Sequence, residues 1–359
     1  MGAVIPLRRE TPAPLTRPLR VSIVIRALDR ESHIRGSIES AIAAAMRVGG
    51  EVIVADCGSS DRTVEIAREY PVTVVQLRNH AERRCGVGSQ LGFQRARGEF
   101  VYILDAGMEL DTDFLPAALA AMDADSRLAG IAGVVQEAEA NCPRRGHERR
   151  APERRSQVCE WLDMGGLYRA EALRDVGYLS NRNLHALEEM ELGLRLCAAG
   201  WTLRRIAARG VVHHGRSEVG WEGLKRRWKS RSLDGAGELI RASLGRPYFY
   251  RSLQTQRHPL LGLAVWAALL VALALLPFSP LPLLGVLAAV LCLVLARARR
   301  RATLALACFE QLTYQISAFA LLRGLFAPQR SPTEPIDFVM LVDAQGAAGL
   351  HAFARPSPE

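Results

Sequence analysis

Three aspartates follow apolar stretches that read as buried strands. The stretch EFVYILDAGMELDTDFL runs through apolar residues into Asp105, while Asp29 follows VSIVI and Asp56 follows EVIVA. Because parallel strands end at the same edge of a sheet, we expect the three carboxylates to converge on one crevice. A single aspartate in such a place is often only a helix cap, but three together favour a binding site.

The turns near these aspartates lack the glycine patterns of common nucleotide sites. The segment after the first strand reads RALDRE (26–31) instead of G-x-G-x-x-G, and GVGSQLG (86–92) follows a loop rather than a strand. The sequence therefore argues against a dinucleotide fold, and it contains no P-loop. A nucleotide held without a glycine-rich loop usually has its phosphates neutralised by a divalent metal on carboxylates.

Alternating strand and helix patterns before residue 250 predict the elements that position these acids. The predicted order is strand VSIVI (21–25), helix 34–46, strand EVIVA (51–55), helix 62–69, strand VTVVQL (72–77), helix 88–97 and strand FVYIL (100–104). Continuous β-branched runs are typical of strands buried on both faces. The alternation indicates an open, mostly parallel α/β sheet.

Apolar runs near the C-terminus predict a membrane attachment. Residues 259–278 and 281–296 carry no charge and each approach the length of one span. Prolines between them predict a tight hairpin, and arginines on both flanks place its ends in the cytoplasm. The amphipathic stretch 302–326 is either a third span, which we prefer, or a helix lying in the membrane interface. The predicted divisions are an extension (1–19), an α/β domain (20–250) with an interfacial part (220–250), two spans (259–298), the third helix (302–326) and a tail (327–359) without a readable motif.

Composition adds weaker constraints. The 359 residues carry a net charge of +9, and only two lysines occur, Lys225 and Lys229. An arginine-rich usage is weak evidence for an anionic partner, and we predict no nucleic-acid partner. The seven cysteines lack CxxC spacing, which indicates reduced thiols in a cytosolic compartment. Residues 1–20 lack the apolar core of an export signal.

Four ordered blocks carry a resemblance to a known family. They are VSIVIRALDRE, EVIVADCGSSDRTVEIA, the G-x-G stretch ending ARGEFVYILDAGMEL, and DMGGLYRAEALRDVGYL with LEEMELGLRLCAAGW. Across residues 20–250 they resemble glycosyltransferase family 2. The resemblance implies a GT-A fold and inverting transfer of a sugar from a nucleotide donor. The hairpin resembles that of bacterial members that build exopolysaccharide or other surface glycans on polyprenyl carriers.

The resemblance implies a donor site. Asp56 matches the acid that accepts the ring NH of the base, and Gln90 stands where an asparagine is usual. Asp105-Ala106-Gly107 corresponds to the Asp-x-Asp motif that touches the ribose and holds the metal. The implied donor-binding residues are Arg26, Ala27, Asp29, Glu31, Asp56, Gln90, Asp105 and Gly107.

The implied metal site is incomplete in this sequence. Gly107 replaces the second aspartate of the motif, and a divalent ion normally needs several oxygen ligands. Glu109 is the candidate to complete a Mg²⁺ or Mn²⁺ site around Asp105, together with a histidine of VVHHGRS. We prefer His213 to His214, and a structural role for a histidine at a strand end is the alternative. The alternative left open is that arginine neutralises the phosphates in place of the ion.

The acceptor side centres on the helix HALEEMELGLRL, where Glu188-Glu189 stands at the family's Glu-Asp pair. On spacing alone these acids would form a solvated helix face, but the resemblance makes Glu189 the catalytic base. Helical spacing pairs Glu191 with Arg195 as an ordinary exposed ion pair. Glu189 has Gly193 at that spacing, which would leave room for a ligand.

Two arginine-rich stretches remain. The stretch 141–156 lacks apolar periodicity and is either a solvated loop or a mobile loop that attracts lipid headgroups or the acceptor's diphosphate. The stretch GWEGLKRRWKSR (220–231) predicts an interfacial helix. With Glu188, its residues Arg227 and Trp228 are the acceptor-side candidates.

The expected function follows from these features. The chain should be an inverting glycosyltransferase of the inner membrane, with a cytoplasmic catalytic domain that uses a nucleotide sugar and a lipid-linked glycan acceptor and contacts membrane lipids. The sequence specifies neither the sugar, the linkage nor the oligomeric state. The competing prediction is a catalytically impaired relative that binds a nucleotide or glycan and serves assembly, motivated by Gly107 and by glutamate at position 189.

Overall fold

The computed structural model describes residues 19–138, 157–163, 165–214, 220–301 and 303–344. The predicted extension before residue 19 and the stretch 141–156 lie outside these ranges. The described strands are β1 (Val21–Ala27), β2 (Gly50–Asp56), β3 (Thr73–Leu77), β4 (Phe100–Asp105), β5 (Met108–Leu110), β6 (Leu128–Glu137), β7 (Gln157–Cys159), β8 (Gly166–Arg169), β9 (Thr202–His213) and β10 (Phe338–Val342). The described α-helices are α1 (Ile34–Val48), α2 (Thr63–Ala67), α3 (Cys85–Phe93), α4 (Phe114–Ala124), α5 (Ala170–Asp175), α6 (Glu188–Ala198), α7 (Trp221–Lys229), α8 (Gly235–Ser243), α9 (Phe249–Thr255), α10 (Arg257–Ala274), α11 (Leu281–Arg301) and α12 (Leu304–Leu325).

One mixed sheet organises the α/β domain, in the order β10-β3-β2-β1-β4-β8-β6-β9-β5, with β7 paired to β9. Strands β3, β2, β1 and β4 are parallel, and β8 joins β4 in the antiparallel sense. The register sets Arg26 opposite Asp105 and Ala27 opposite Asp56. The predicted α/β sheet is therefore confirmed, and its first strands end at one edge with the acids that the sequence indicates.

Two apolar layers cover the faces of this sheet. Ile23 and Ile25 pack on one face in the cluster that contains Ile38 of α1, while Val24 packs on the other in the cluster that contains Leu91 of α3. These side chains are completely buried, and each such burial contributes about 1.5–3 kcal/mol. A strand covered on both faces explains why VSIVI shows no polar alternation.

Three C-terminal helices, α10, α11 and α12, are long and apolar enough to cross a membrane. Helices α10 and α11 are almost unburied, whereas α12 packs against α8 as well as against α10 and α11. Two ring contacts align α12 with α7: Trp221 lies 5.1 Å from Phe309, and Trp228 lies 6.0 Å from Phe319, between ring centroids. Aromatic side chains near both ends of the short helix α7 therefore contact α12.

The segment after α12 returns to the sheet. Strand β10 pairs antiparallel with β3, with Phe338 opposite Leu77. Just before it, the Ile336 amide donates to Gln94 Oε1 at 2.7 Å. The residues before α10 and those after α12 thus both lie beside the α/β domain, a relationship that the sequence of the tail did not indicate.

Candidate active site

Arg26 joins the strand edge to the start of α6. Its Nε and Nη2 donate to the two carboxylate oxygens of Asp105, the second at 3.0 Å. Its Nη1 donates to Glu188, and Nη2 also donates to Glu189 Oε1 at 3.2 Å. The guanidinium of Arg26 therefore joins Asp105, from the predicted donor side, to Glu188 and Glu189 of α6.

Helix α8 supports the turn that precedes α6. Leu187 has a φ of 68°, so the chain enters the helix through a left-handed residue. The backbone N and Nδ1 of His185 donate to the two carboxylate oxygens of Glu238 at 2.8 and 2.7 Å. Glu188 and Glu189 then occupy the first helical turn, where the helix dipole favours negative charge. Neither His185 nor Glu238 carries a sequence signal that predicts this support.

The environment of Glu189 suits a proton acceptor. Burial, with the nearby charges of Glu188 and Asp105, raises the pKa of Glu189 to about 8, although Arg26 opposes the shift. The side chain keeps 27% of its surface exposed, so a substrate can reach it. Beside it lies a crevice with about 20 Å³ of free volume, lined in part by Tyr168. A carboxylate with a pKa near neutrality is matched to general-base work.

The predicted donor turn is tied to the loop after β2. Asp29 has a φ of 50°, and its Oδ1 accepts from the Ser60 amide at 2.7 Å. Glu31 Oε2 accepts from the Arg62 amide at 3.1 Å. The Ala27 carbonyl accepts from the Cys57 amide at 2.8 Å. The two loops therefore form one rim of the site.

Asp56 and Gln90 brace loops around the site. Asp56 is completely buried, and its Oδ2 accepts from the amides of Gly58 and Ser59 and from Gln76 Nε2 at 2.8–2.9 Å. Gln90 Oε1 accepts from two backbone amides at 3.0 and 3.1 Å, those of residues 179 and 180. Both residues stand at the site, and their roles toward a nucleotide stay predictions.

The acceptor-side candidates of α7 face a different element. The Trp228 ring lies against Phe319, and the Arg323 guanidinium sits 4.3 Å from its centroid. Arg227 is exposed, and its carbonyl accepts from the hydroxyls of Ser230 and Ser232 at 3.3 Å. These contacts connect α7 with α12 and the following turn, whereas Glu188 alone of the three candidates contacts the Arg26 cluster.

The residues present do not fit a divalent metal site. Both oxygens of Asp105 accept from Arg26, and His213 Nδ1 lies 2.8 Å from Glu137. Glu109 Oε1 lies 3.1 Å from Nε2 of the neighbouring His214 rather than reaching Asp105. Within the ranges that the structure describes, no group of three or more His, Cys, Asp or Glu side chains is arranged to hold a metal.

Two expectations about α6 are corrected by the structure. Glu191 is completely buried, and its oxygens accept from Nε and Nη2 of Arg195 at 3.0 and 2.9 Å. The pair is therefore an internal ion pair and not an exposed one. A Cβ on Gly193 would lie 2.3 Å from the carbonyl oxygen of Glu160, so this glycine serves close backbone packing and leaves no room for a ligand.

Comparisons with known proteins bear on the fold and on the first part of the chain. Residues 22–179 match the model of glycosyl transferase family 2, a segment that ends before Glu189. None of the curated proteins matches the chain. The mannosyltransferase PcManGT from Pyrobaculum calidifontis, solved in complex with GDP-Man and Mn²⁺, is similar in fold, with a TM-score of 0.56, 19% identity and coverage of 87% of this chain and 88% of that one.

A second solved protein is less similar. S. aureus TarS 1–349 in complex with UDP-GlcNAc aligns with a TM-score of 0.48 at 14% identity, covering 86% of this chain and 93% of that one. Against the longer TarS structure the alignment covers only 44% of that chain and 64% of this one. The family match covers residues 22–179, and together with the fold around this segment it supports a glycosyltransferase.

Proposed function

We propose that this enzyme transfers a sugar, with inversion, from a nucleoside diphosphate donor to a lipid-linked glycan at the cytoplasmic face of the inner membrane. The observation that carries the proposal is the position of Glu189. Through Arg26 it stands beside Asp105, at the edge where β1 and β4 end. Ligands of open α/β sheets bind at this edge.

The reaction is a single displacement. Ionised Glu189 accepts the proton of an acceptor hydroxyl, and the hydroxyl oxygen forms a bond to the anomeric carbon of the sugar. The bond from that carbon to the donor's phosphate oxygen breaks, and its electron pair leaves with the nucleoside diphosphate. The proton remains on Glu189, and attack opposite the leaving group inverts the anomeric centre.

The donor would lie along the rim formed by the loops after β1 and β2. Ala27, Asp29 and Glu31 belong to one loop of this rim, and Asp56 shapes the other. Gly107 follows the tip of β4, and Gln90 fixes the backbone before α6. Their contribution to donor binding remains part of the proposal.

The membrane topology that we propose has two spans. Residues before α10 and after α12 both contact the catalytic domain, so the chain between them must cross the membrane an even number of times. Helices α10 and α11 form the hairpin, and α12 lies in the interface along α7. From the sequence alone we preferred a third span for residues 302–326. With these contacts we propose the alternative, a helix that lies in the membrane interface.

An apolar groove between α7, α10 and α12 supports a lipid-linked acceptor. It has a volume of about 560 Å³, and Trp221, Trp228 and Trp266 contribute to its walls. The chain's two lysines, Lys225 and Lys229, also line it. Tryptophan and lysine are favoured where apolar chains meet phosphate headgroups.

The test is turnover by the purified full-length protein in nanodiscs that contain polyprenyl-linked glycans. A panel of nucleotide sugars is offered, and release of nucleoside diphosphate and glycosylation of the lipid are measured. We expect one donor to be consumed by wild type and not by Glu189→Gln. Donor binding without hydrolysis or transfer would favour the impaired, assembly-type alternative.

A further inference from the structure

We infer that Arg26 is the resident cation of the donor site and replaces a divalent metal, so that the donor's diphosphate binds without one. The inference rests on the proposed function, because it concerns how that donor is held. It is drawn from one side chain, Arg26, and the three carboxylates that surround it.

The position of Arg26 is set by the sheet. It lies opposite Asp105 in the parallel register of β1 and β4, and its side chain is only 17% exposed. A guanidinium has five N–H groups. Nε and Nη1 use one each, and Nη2 uses two, so four of the five engage Asp105, Glu188 and Glu189.

The same contacts exclude a divalent ion from this place. Both Asp105 oxygens face the guanidinium, and an ion on that carboxylate would stand next to a fixed positive charge that repels it. Gly107 cannot supply the missing ligand, and its φ of 121° strains any side chain placed there. Glu109 and His213 are paired with other side chains.

An arginine side chain can neutralise the charge of the donor's phosphates, which is the role expected of the metal ion. A guanidinium stays charged and binds phosphate oxygens through paired N–H donors. The contact between Nη2 and Glu189, at 3.2 Å, is the longest of the four. We expect a donor phosphate oxygen to take over this N–H, which leaves Glu189 free to accept the acceptor's proton when the donor is in place.

The experiment measures two bindings, each with the full-length protein. Mn²⁺ binding is followed by electron paramagnetic resonance, and binding of UDP and GDP by calorimetry, in EDTA and in Mg²⁺. We expect wild type to bind no Mn²⁺ at millimolar concentration and to bind its nucleotide equally well in both media. Tight Mn²⁺ binding by wild type, or loss of nucleotide binding in EDTA, overturns the inference.

The variant Arg26→Gln should behave in the opposite way to wild type in both binding measurements. Removing the guanidinium leaves Asp105, Glu188 and Glu189 without their shared partner, so we expect Mn²⁺ binding to appear. Nucleotide affinity in EDTA should fall by about tenfold or more, the effect of a lost charged hydrogen bond, and Mn²⁺ should restore part of it. A variant that neither gains Mn²⁺ nor loses nucleotide affinity contradicts the inference.

Control variants distinguish failure of the inference from misfolding and from failure of the proposed function. Arg20→Gln removes an arginine that pairs with Glu99 and Asp123 near the other end of β1, and it should change neither binding. If Arg26→Gln does not fold, Arg26→Lys keeps a cation and should still bind nucleotide in EDTA and exclude Mn²⁺. Absence of nucleotide binding in every medium overturns the proposed function and the donor part of this inference, whereas the Mn²⁺ titrations still decide whether Arg26 fills a cation position.

Discussion

Arg323 of α12 and Asp234, immediately before α8, form a two-pronged ion pair, with Nε 2.9 Å from Oδ2 and Nη2 2.6 Å from Oδ1. Asp234 is completely buried and also accepts from Arg231 Nε at 2.9 Å. The next helix, α8, carries Glu238, which accepts from the His185 amide before the turn that leads into α6. Helix α12 is thus ion-paired to the residue that precedes α8, the helix that supports the turn before Glu189.

Gly237→Ala tests this connection. A Cβ at this position would lie 1.9 Å from the Leu321 carbonyl oxygen of α12, so α8 and α12 must separate. We expect a loss of roughly 1–3 kcal/mol of stability, the usual cost of overpacking, seen as a lower unfolding temperature in detergent together with lower turnover. Alanine forms helices better than glycine does, so a loss of stability would show that the substitution disturbs packing. Gly285→Ala, with open space around its Cβ, is the control; equal behaviour of the two variants would contradict close packing of α12.

Glu189→Gln tests the catalytic base. The amide keeps the size of the side chain but cannot accept the proton, so transfer should fall by about 10²-fold or more, while nucleotide binding stays close to wild type. Initial rates with the identified donor provide the measurement. The exposed Glu171 on α5 supplies the control Glu171→Gln. If Glu188→Gln is the more damaging change, the base has been assigned to the wrong residue.

The pH dependence follows from the raised pKa of Glu189, about 8. The base must be ionised in the free enzyme, so kcat/KM should rise with pH and level off above about 8. The folded pKa exceeds the ordinary carboxyl value, so the protonated form favours the folded state, and this contribution is lost as pH rises through about 8. A pH-rate profile that is already flat between pH 5 and 7 would refute the assignment.

Glu191→Gln should act on stability and not on chemistry. Glu191 is completely buried and accepts from Arg195, from the Tyr178 hydroxyl at 2.9 Å and from the Tyr248 hydroxyl at 3.3 Å. Breaking a buried ion pair from one side costs about 3–5 kcal/mol, so the unfolding temperature should drop sharply. Glu65→Gln removes an exposed partner of Arg62 and should have little effect. Similar unfolding temperatures for the two variants would argue against an internal pair.

Reporter fusions test the two-span topology. A reporter inserted at Ser279, between α10 and α11, should lie on the opposite side of the membrane from the catalytic domain. Reporters at Arg300 and after Glu359 should both lie on the catalytic side, because β10 belongs to the catalytic sheet. A C-terminal reporter on the far side would show that α12 crosses the membrane.

Local patterns were sufficient for much of this protein. The β-branched runs predicted β1, β2, β3 and β4 to within two residues at each end, because strands buried on both faces require continuous apolar sequence. The apolar runs predicted α10 and α11 for a similar reason, since a bilayer requires length and absence of charge. The strand-end positions of Asp29, Asp56 and Asp105 followed from the same patterns.

Tertiary structure decided the features that depend on distant residues. Arg26 and Glu188 are separated by 162 positions, and no local pattern shows that a strand-end arginine reaches the first turn of α6. Glu191 with Arg195 has the spacing of an exposed helix pair, yet packing of Tyr178 and Tyr248 buries it. The position of α12 was equally undetermined, because an amphipathic helix satisfies its apolar face against lipid or protein alike. The packing of α12 on α8 and the pairing of β10 with β3 are the tertiary contacts on which the proposed interfacial position rests.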